Sequence, residues 1–294
     1  MEQPGTADQN VLCGRTISLL SEQKLDDDYL CQVDASVSCG ACCGLYNVEN
    51  AARTSIQALL AARTRRFAEV VPRTIDHIMQ FSRDTEQHES QRRPLPDFHH
   101  CPYLGFVGPR QETVGCLLHP QEPLNRGIDQ RSLSYYGGMT CHIYFCPATR
   151  LLPARFKQIV RDVISDWYLY GLLVTEHRLL KALFEEIERR LNRPVFVDDF
   201  HRNPEARHAL YNLFLLRVSW PFRRPGTIQL VNYFFNDHYH PRPAIEASEE
   251  GQVIERYRII LQELETRTDT AGILHQAELY LDDKFRTLQQ HLQS

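Results

Sequence analysis

The stretch SCGACCG, Ser38–Gly44, sets three cysteines within five positions and flanks them with glycine. Three explanations compete for such crowding: disulfide bonding, the small apolar packing that buried cysteine provides, and ligation of a metal or metal cluster. Which one holds depends on the compartment and on where the other thiols lie. The chain has nine cysteines, an odd number, and none follows Cys146.

The compartment is read from what the sequence lacks. The opening MEQPGTADQN is polar, with no basic segment leading into an apolar one, so it does not resemble a secretory signal. The best apolar run, WYLYGLLV from Trp167 to Val174, is far shorter than a bilayer span. A cytoplasmic protein with no membrane partner is therefore expected. In a reducing cytosol, closely spaced cysteines serve as metal ligands or catalytic groups more often than as staples. The net charge of -4 among 294 residues gives no basic surplus for nucleic acid.

The asymmetric placement of cysteine divides the chain into two expected parts. Residues 1–150 are rich in turn signals (CGACCG, PLPDFHHCPYLGFVGPR, HPQEP, YYGGM, CPATRLLP) and read as a loop-rich cysteine module with a metal site. Within it, Ile56, Leu59, Leu60, Phe67, Val70 and Val71 predict a helix from about Asn50 that Pro72 interrupts, and a second follows from Arg73. RDTEQHESQRRP, residues 83–94, reads as a surface loop. Residues 151–294 read as a helical domain packed on the module, making the fold mainly α. Phe156, Ile159, Val160, Val163, Ile164, Trp167 and Tyr168 fall on one helical face, and Leu172 to Leu191 repeat the pattern. Further helices are expected over NPEARHALYNLFLLRVSW, from Val253 to Leu264 and from Ile273 to Leu288, while Thr227 to Phe235 suits helix or strand.

The candidate ligands are Cys39, Cys42 and Cys43, then Cys101, Cys116, Cys141 and Cys146. Cys39-x2-Cys42 is a short chelating loop that brings two thiolates to one centre, with Gly40 and Gly44 freeing the backbone around it. Cys43 cannot easily join its neighbour on a small ion, because adjacent side chains diverge. Its options are a second centre, another corner of a cluster, or the core. Cys101 and Cys146 each precede proline, as does the last cysteine of a bacterial ferredoxin run, which leans toward iron–sulfur. Zinc needs only four nitrogen or sulfur ligands, and the thiols here would satisfy one ion or two.

In this order VSCGACCG, CPYLGF, VGCLLHP and TCHIYFCP resemble the CxxCxxCC group, the YkgJ-like zinc- or iron-chelating proteins that include flagellin lysine N-methylases. The resemblance covers roughly residues 31–147 and implies metal binding at Cys39, Cys42, Cys43, Cys101, Cys116 and Cys141. It departs at two points. Ser36 stands where the first cysteine of the motif would fall, so that ligand is absent or supplied from elsewhere, with Cys31 a candidate. The usual arginine-proline and cysteine-arginine stretch is replaced by a longer insertion ending in MTCHIYFC.

Other groups have blander readings. His119 and His142 adjoin cysteines and are expected to hydrogen-bond near the site rather than ligate it. His99 and His100 are expected in solvent. DHYH, with Asp237, His238 and His240, reads as a surface loop, EEIERR (Glu185–Arg190) and Asp26 to Asp28 as solvated charged faces, and Gly137 and Gly138 as a plain turn. Trp167 and its neighbouring tyrosines are core candidates. GxGxxG, Walker A, HExxH, GxSxG and CxxxCxxC are absent from the sequence. Two hypotheses follow, with iron–sulfur favoured: a 4Fe-4S-type centre with redox or Lewis-acid character, or structural zinc with the helical part binding a protein partner. Lysine methylation is implied by the resemblance alone.

Overall fold

The computed structural model describes residues 29–89, 93–96, 98, 100–227, 231–232, 242–245, 255–268 and 271–294. Cys13, Asp26 to Asp28, His99, Asp237, His238, His240 and most of Thr227 to Phe235 lie outside them. Among the described residues the chain is mainly helical, with one two-stranded sheet. Among them, too, no helix is long and apolar enough to cross a membrane.

The front of the chain is a clamp around the thiols. Helix α1 (Arg53–Ala68) buries Ile56, Leu60, Thr64 and Phe67, the stripe expected of an amphipathic helix, and Arg63 lies within the same stripe. Helix α2 (Ile75–His88) starts where the Thr74 hydroxyl accepts from the His77 amide at 3.3 Å. It runs on to His88, so the loop expected from Arg83 begins as helix: Phe81 and Thr85, one turn apart, are buried and carry the polar residues between them.

Strands β1 (Leu104–Val107) and β2 (Thr113–Cys116) form an antiparallel hairpin that sequence periodicity did not reveal, with Leu104 opposite Cys116 and Phe106 opposite Val114. The hairpin docks on α1 through Thr64, whose hydroxyl accepts from the Phe106 amide at 2.7 Å and donates to its carbonyl at 3.0 Å. Gly105 is required there: a Cβ would come within 2.7 Å of that hydroxyl.

After the short helices α3 (Gly137–Ile143) and α4 (Pro147–Leu151), the chain continues as α5 (Ala154–Val163), α6 (Trp167–Leu173) and α7 (His177–Leu191). The stripe expected to run unbroken from Phe156 to Tyr168 is two helices. Asp166 accepts from the amides of Tyr168 and Leu169, so it starts a new helix inside the apolar pattern. Likewise Leu172 to Leu191 breaks before His177: Glu176 leaves the helical backbone with ψ 61°, and its carboxylate pairs with Asn232 and Arg242. Helices α8 (Val197–His201), α9 (Pro204–Ser219), α10 (Arg258–Glu263) and α11 (Ala271–Gln293) complete the described fold.

Their apolar faces form one core that also takes in Leu30, Val37 and Ala148 from the cysteine-bearing half. EEIERR is not a solvated face throughout. Glu186 is buried and held by Arg189 at 2.7 Å and Arg190 at 2.7 Å, which satisfies the carboxylate that burial would otherwise penalise.

Candidate metal centre

Two local devices place the first thiols. Asp34 Oδ1 accepts from the amides of Ser36 at 2.7 Å and Val37 at 2.9 Å, folding residues 34–37 into a tight turn. The turn pairs Gln32 with Ser38, and the Cys39 amide donates to the Cys31 carbonyl at 2.9 Å, so Cys31 and Cys39 become cross-strand neighbours. Tyr170 fastens this loop to the helical half by donating to the Leu30 carbonyl at 2.8 Å. A 3₁₀ turn, Ala41–Cys43, follows and ends at Gly44 with φ 81°, a conformation that favours glycine. Gly40 is closely enclosed: a Cβ would stand 3.0 Å from Leu45 and from Val114.

Cys31, Cys39, Cys42 and Cys146 line one small cavity of about 20 Å³, closed by Leu30, Tyr144, Val174 and Thr175. Cys146 reaches it as the N-cap of α4, with Pro147 at the first helical position. Burial and the neighbouring thiols together push Cys31 up to about 12 and raise Cys39 and Cys146 as well.

Cys43 sits where two apolar clusters meet, against the first together with Cys39, Cys42 and Cys146. It packs with Cys101 and Cys116 beside Phe67, Tyr103 and Leu118, and the Cys101 amide donates to the Cys43 carbonyl at 2.9 Å. Cys101 and Cys116 are pushed up to about 11 and about 12 by burial, and Cys141 adds to both. The Cys43 thiol hydrogen-bonds to Cys42, which lowers Cys42 and raises Cys43. The described thiols therefore sort into an inner set of Cys31, Cys39, Cys42 and Cys146 and an outer set of Cys43, Cys101 and Cys116 with the exposed Cys141 at its edge, and all are free rather than disulfide-bonded.

Among the described residues, no group of three or more His, Cys, Asp or Glu side chains is drawn together tightly enough to hold a metal ion. Closing a set onto an ion requires rotation of side chains that each have a single torsion.

His119 and His142 each have a partner of their own. His119 accepts from the Gln121 amide at 3.2 Å, and His142 pairs with Asp129 at 2.8 Å. His100 is not in solvent as expected. It is buried because Arg63 reaches its Nε2 at 3.0 Å. Arg63 also donates to the carbonyls of Cys101 at 2.9 Å and Leu104 at 3.3 Å and pairs with Glu89, so one buried guanidinium fixes the Cys101 turn. Nothing local in the sequence marks Arg63 for this role, since its partners lie 26 to 41 residues away.

A larger groove of about 400 Å³ lies elsewhere, lined by Arg53, Phe106, Asp166, Trp167 and Tyr211 among others. Arg53 is paired with Asp166 at 2.7 Å and stacked over Trp167 and Tyr168. Its charges are mutually satisfied, so the concentrated chemistry is at the thiols.

No protein-family model, curated protein or solved structure matches this chain.

Proposed function

We propose that the chain binds metal through two four-cysteine centres, the inner and outer sets, and that they carry iron–sulfur clusters. The observation that carries this reading is the bridging placement of adjacent thiols: Cys42 lines the inner cavity, and Cys43, hydrogen-bonded to it, also packs with Cys101 and Cys116. Four sulfurs per set is the donor complement of a 4Fe-4S cluster. Soft thiolates suit iron–sulfur and zinc over harder cations. The raised thiols fit the same reading, because a bound cation supplies the positive charge that lets clustered thiols ionise together. The resemblance of the motif order to the CxxCxxCC group supports it as well.

One observation favours structural zinc as the second reading. The inner cavity, at about 20 Å³, has room for a single ion, and a cuboidal cluster would have to push its walls apart. Lysine methylation has no observation of this kind behind it and is not proposed.

Anaerobic purification followed by elemental analysis, inorganic sulfide assay and a visible spectrum tests both readings. Iron with matching sulfide and thiolate-to-iron charge-transfer bands supports the first, and colourless protein with about two zinc ions per chain the second. Protein that takes up neither metal under reducing conditions refutes the proposal.

A further inference from the structure

We propose that the groove between α1 and α6 is a binding site for a guanidinium, the arginine side chain of a partner peptide, and that Arg53 holds that position in the free chain. The site involves none of the thiols and does not depend on the metal-binding reading.

Arg53 is poorly placed for its own helix. It is the first residue of α1, where no side chain caps the start and the first turn carries no acid, and a cation at that end opposes the helix dipole. What Arg53 gains lies across the groove. Its two Nη atoms reach the two Asp166 carboxylate oxygens at 3.0 Å and 2.7 Å, and its guanidinium carbon lies 6.0 Å from the ring centres of Trp167 and Tyr168. Paired acceptors beside aromatic faces are what a planar guanidinium needs, since the fork and the π contact are met together.

The occupant is loosely held and its receiver is fixed. Arg53 is 52% exposed, so both its ion pair and its ring contacts are of the weak, solvated kind. Asp166 is 17% exposed and also accepts from the amides of Tyr168 at 3.4 Å and Leu169 at 3.2 Å. Trp167 is braced edge-on by Phe106, with ring centroids 5.7 Å apart. An incoming guanidinium can therefore take the place of Arg53, which swings into solvent, while the site that receives it stays as built.

The groove, about 400 Å³, is of ligand-site size and larger than one side chain requires. Among its described lining residues two carboxylates, Asp166 and Glu112, stand against one cation, Arg53, which favours a cationic ligand. Gln57 and Gln111 are exposed on its walls and offer amide donors and acceptors to main chain flanking the arginine, which points to a peptide rather than a free amino acid.

The test uses the full chain and a blocked pentapeptide, glycine–glycine–arginine–glycine–glycine, with counterparts carrying lysine or uncharged citrulline at the centre and a blocked single arginine. Affinity is measured by calorimetry, and NMR follows the indole N–H groups of the two tryptophans, Trp167 in the groove and Trp220, which donates to Thr266 at 3.0 Å inside the core. Arg53→Met removes an unfavourable charge from the helix start, and Asp166→Asn retains a residue that caps as well, so both variants should fold.

Arg53→Met should bind the arginine peptide about tenfold more tightly than the native chain does, shifting the Trp167 signal and leaving that of Trp220 in place. Adding Asp166→Asn should reverse that gain. The lysine and citrulline peptides and the blocked single arginine should all bind more weakly than the arginine peptide. No shift of Trp167 in either the native or the Arg53→Met chain overturns the site. Equal affinity of those two chains overturns the role of Arg53, and unchanged affinity on adding Asp166→Asn overturns that of the carboxylate. Equal binding of the lysine or citrulline peptide overturns guanidinium recognition, and equal binding of the blocked arginine overturns the peptide as its source.

Discussion

Arg63 is where the fold and the outer thiols meet, and Arg63→Met is the most informative single change. The side chain is 1% exposed. Its Nε donates to Glu89 at 2.6 Å, and its Nη atoms reach Glu89 again, the carbonyls of Cys101 and Leu104, and His100. Methionine fills much of the same volume and removes every donor. Breaking a buried ion pair from one side costs roughly 3–5 kcal/mol, chiefly because the partner left behind is uncompensated. Here that partner, Glu89, is 18% exposed and regains some water, which moves the ion-pair contribution toward the lower end.

The Cys101 and Leu104 carbonyls are less able to recover, and an unsatisfied buried acceptor costs about 1–3 kcal/mol. Because these losses share one side chain they do not add, and we expect about 3–4 kcal/mol in total. Urea unfolding followed by far-ultraviolet circular dichroism measures it. Mass spectrometry of alkylated, metal-free protein should show Cys101 labelled faster than in the native chain. Arg63→Lys keeps the charge but not the planar fork that serves several acceptors, so it should recover only part of the loss. A cost below about 1 kcal/mol for Arg63→Met, with Cys101 labelling unchanged, would refute the idea that this guanidinium holds the Cys101 turn.

Metal-free protein should lose stability as pH rises above 9. Cys31, Cys101 and Cys116 are raised from 9.0 to between about 11 and about 12, chiefly by burial, so the unfolded chain gives up these protons first and ionisation favours unfolding across that window. With metal bound the thiols are already ionised and the downward slope should vanish, so parallel slopes with and without metal would count against ligation by these residues. Gly171→Ala should cost about 1–3 kcal/mol by overpacking, since the new methyl would collide with the Tyr46 hydroxyl, which donates to the Tyr168 carbonyl at 3.3 Å. Thermal unfolding indistinguishable from the native chain would show that this contact relaxes freely.

How much of this was legible depended on distance along the chain. Helix α9 was readable because Asn203 and Pro204 supply a local start and the apolar residues follow at once. The break at Asp166 was not, because the apolar period runs through it and the cap competes with a pattern that continues on both sides. The hairpin was hidden by brevity, with four residues per strand and Gly105 opposite Gly115 where alternating side chains would have signalled a strand. At the site, Cys39 and Cys42 were legible as partners from their spacing. The distribution of Cys101, Cys116, Cys141 and Cys146 between two sets was not, because it depends on how the hairpin and α4 are placed. Cys31 entered only as a stand-in for the cysteine missing at Ser36, and the bridge between Gln32 and Ser38 brings it in. His100 could not be read as buried without knowing that Arg63 turns toward it.

The adjacent pair Cys42–Cys43 is where these threads join. In a 3₁₀ turn successive side chains point about 120° apart, so two neighbours cannot be directed at one small ion, yet each can face a different wall. One wall is the helical core, through Cys146 and the loop held by Tyr170. The other is the hairpin, through Cys116. The peptide between the two thiols is then a short covalent link between these two walls. Inserting one residue between Cys42 and Cys43 would rotate one thiol away from its wall while leaving the spacing of Cys39 and Cys42 intact. For that reason the vicinal cysteines and the enclosed Gly40 and left-handed Gly44 on either side form one unit, and the rest of the cysteine spacing is set by the elements that converge on it.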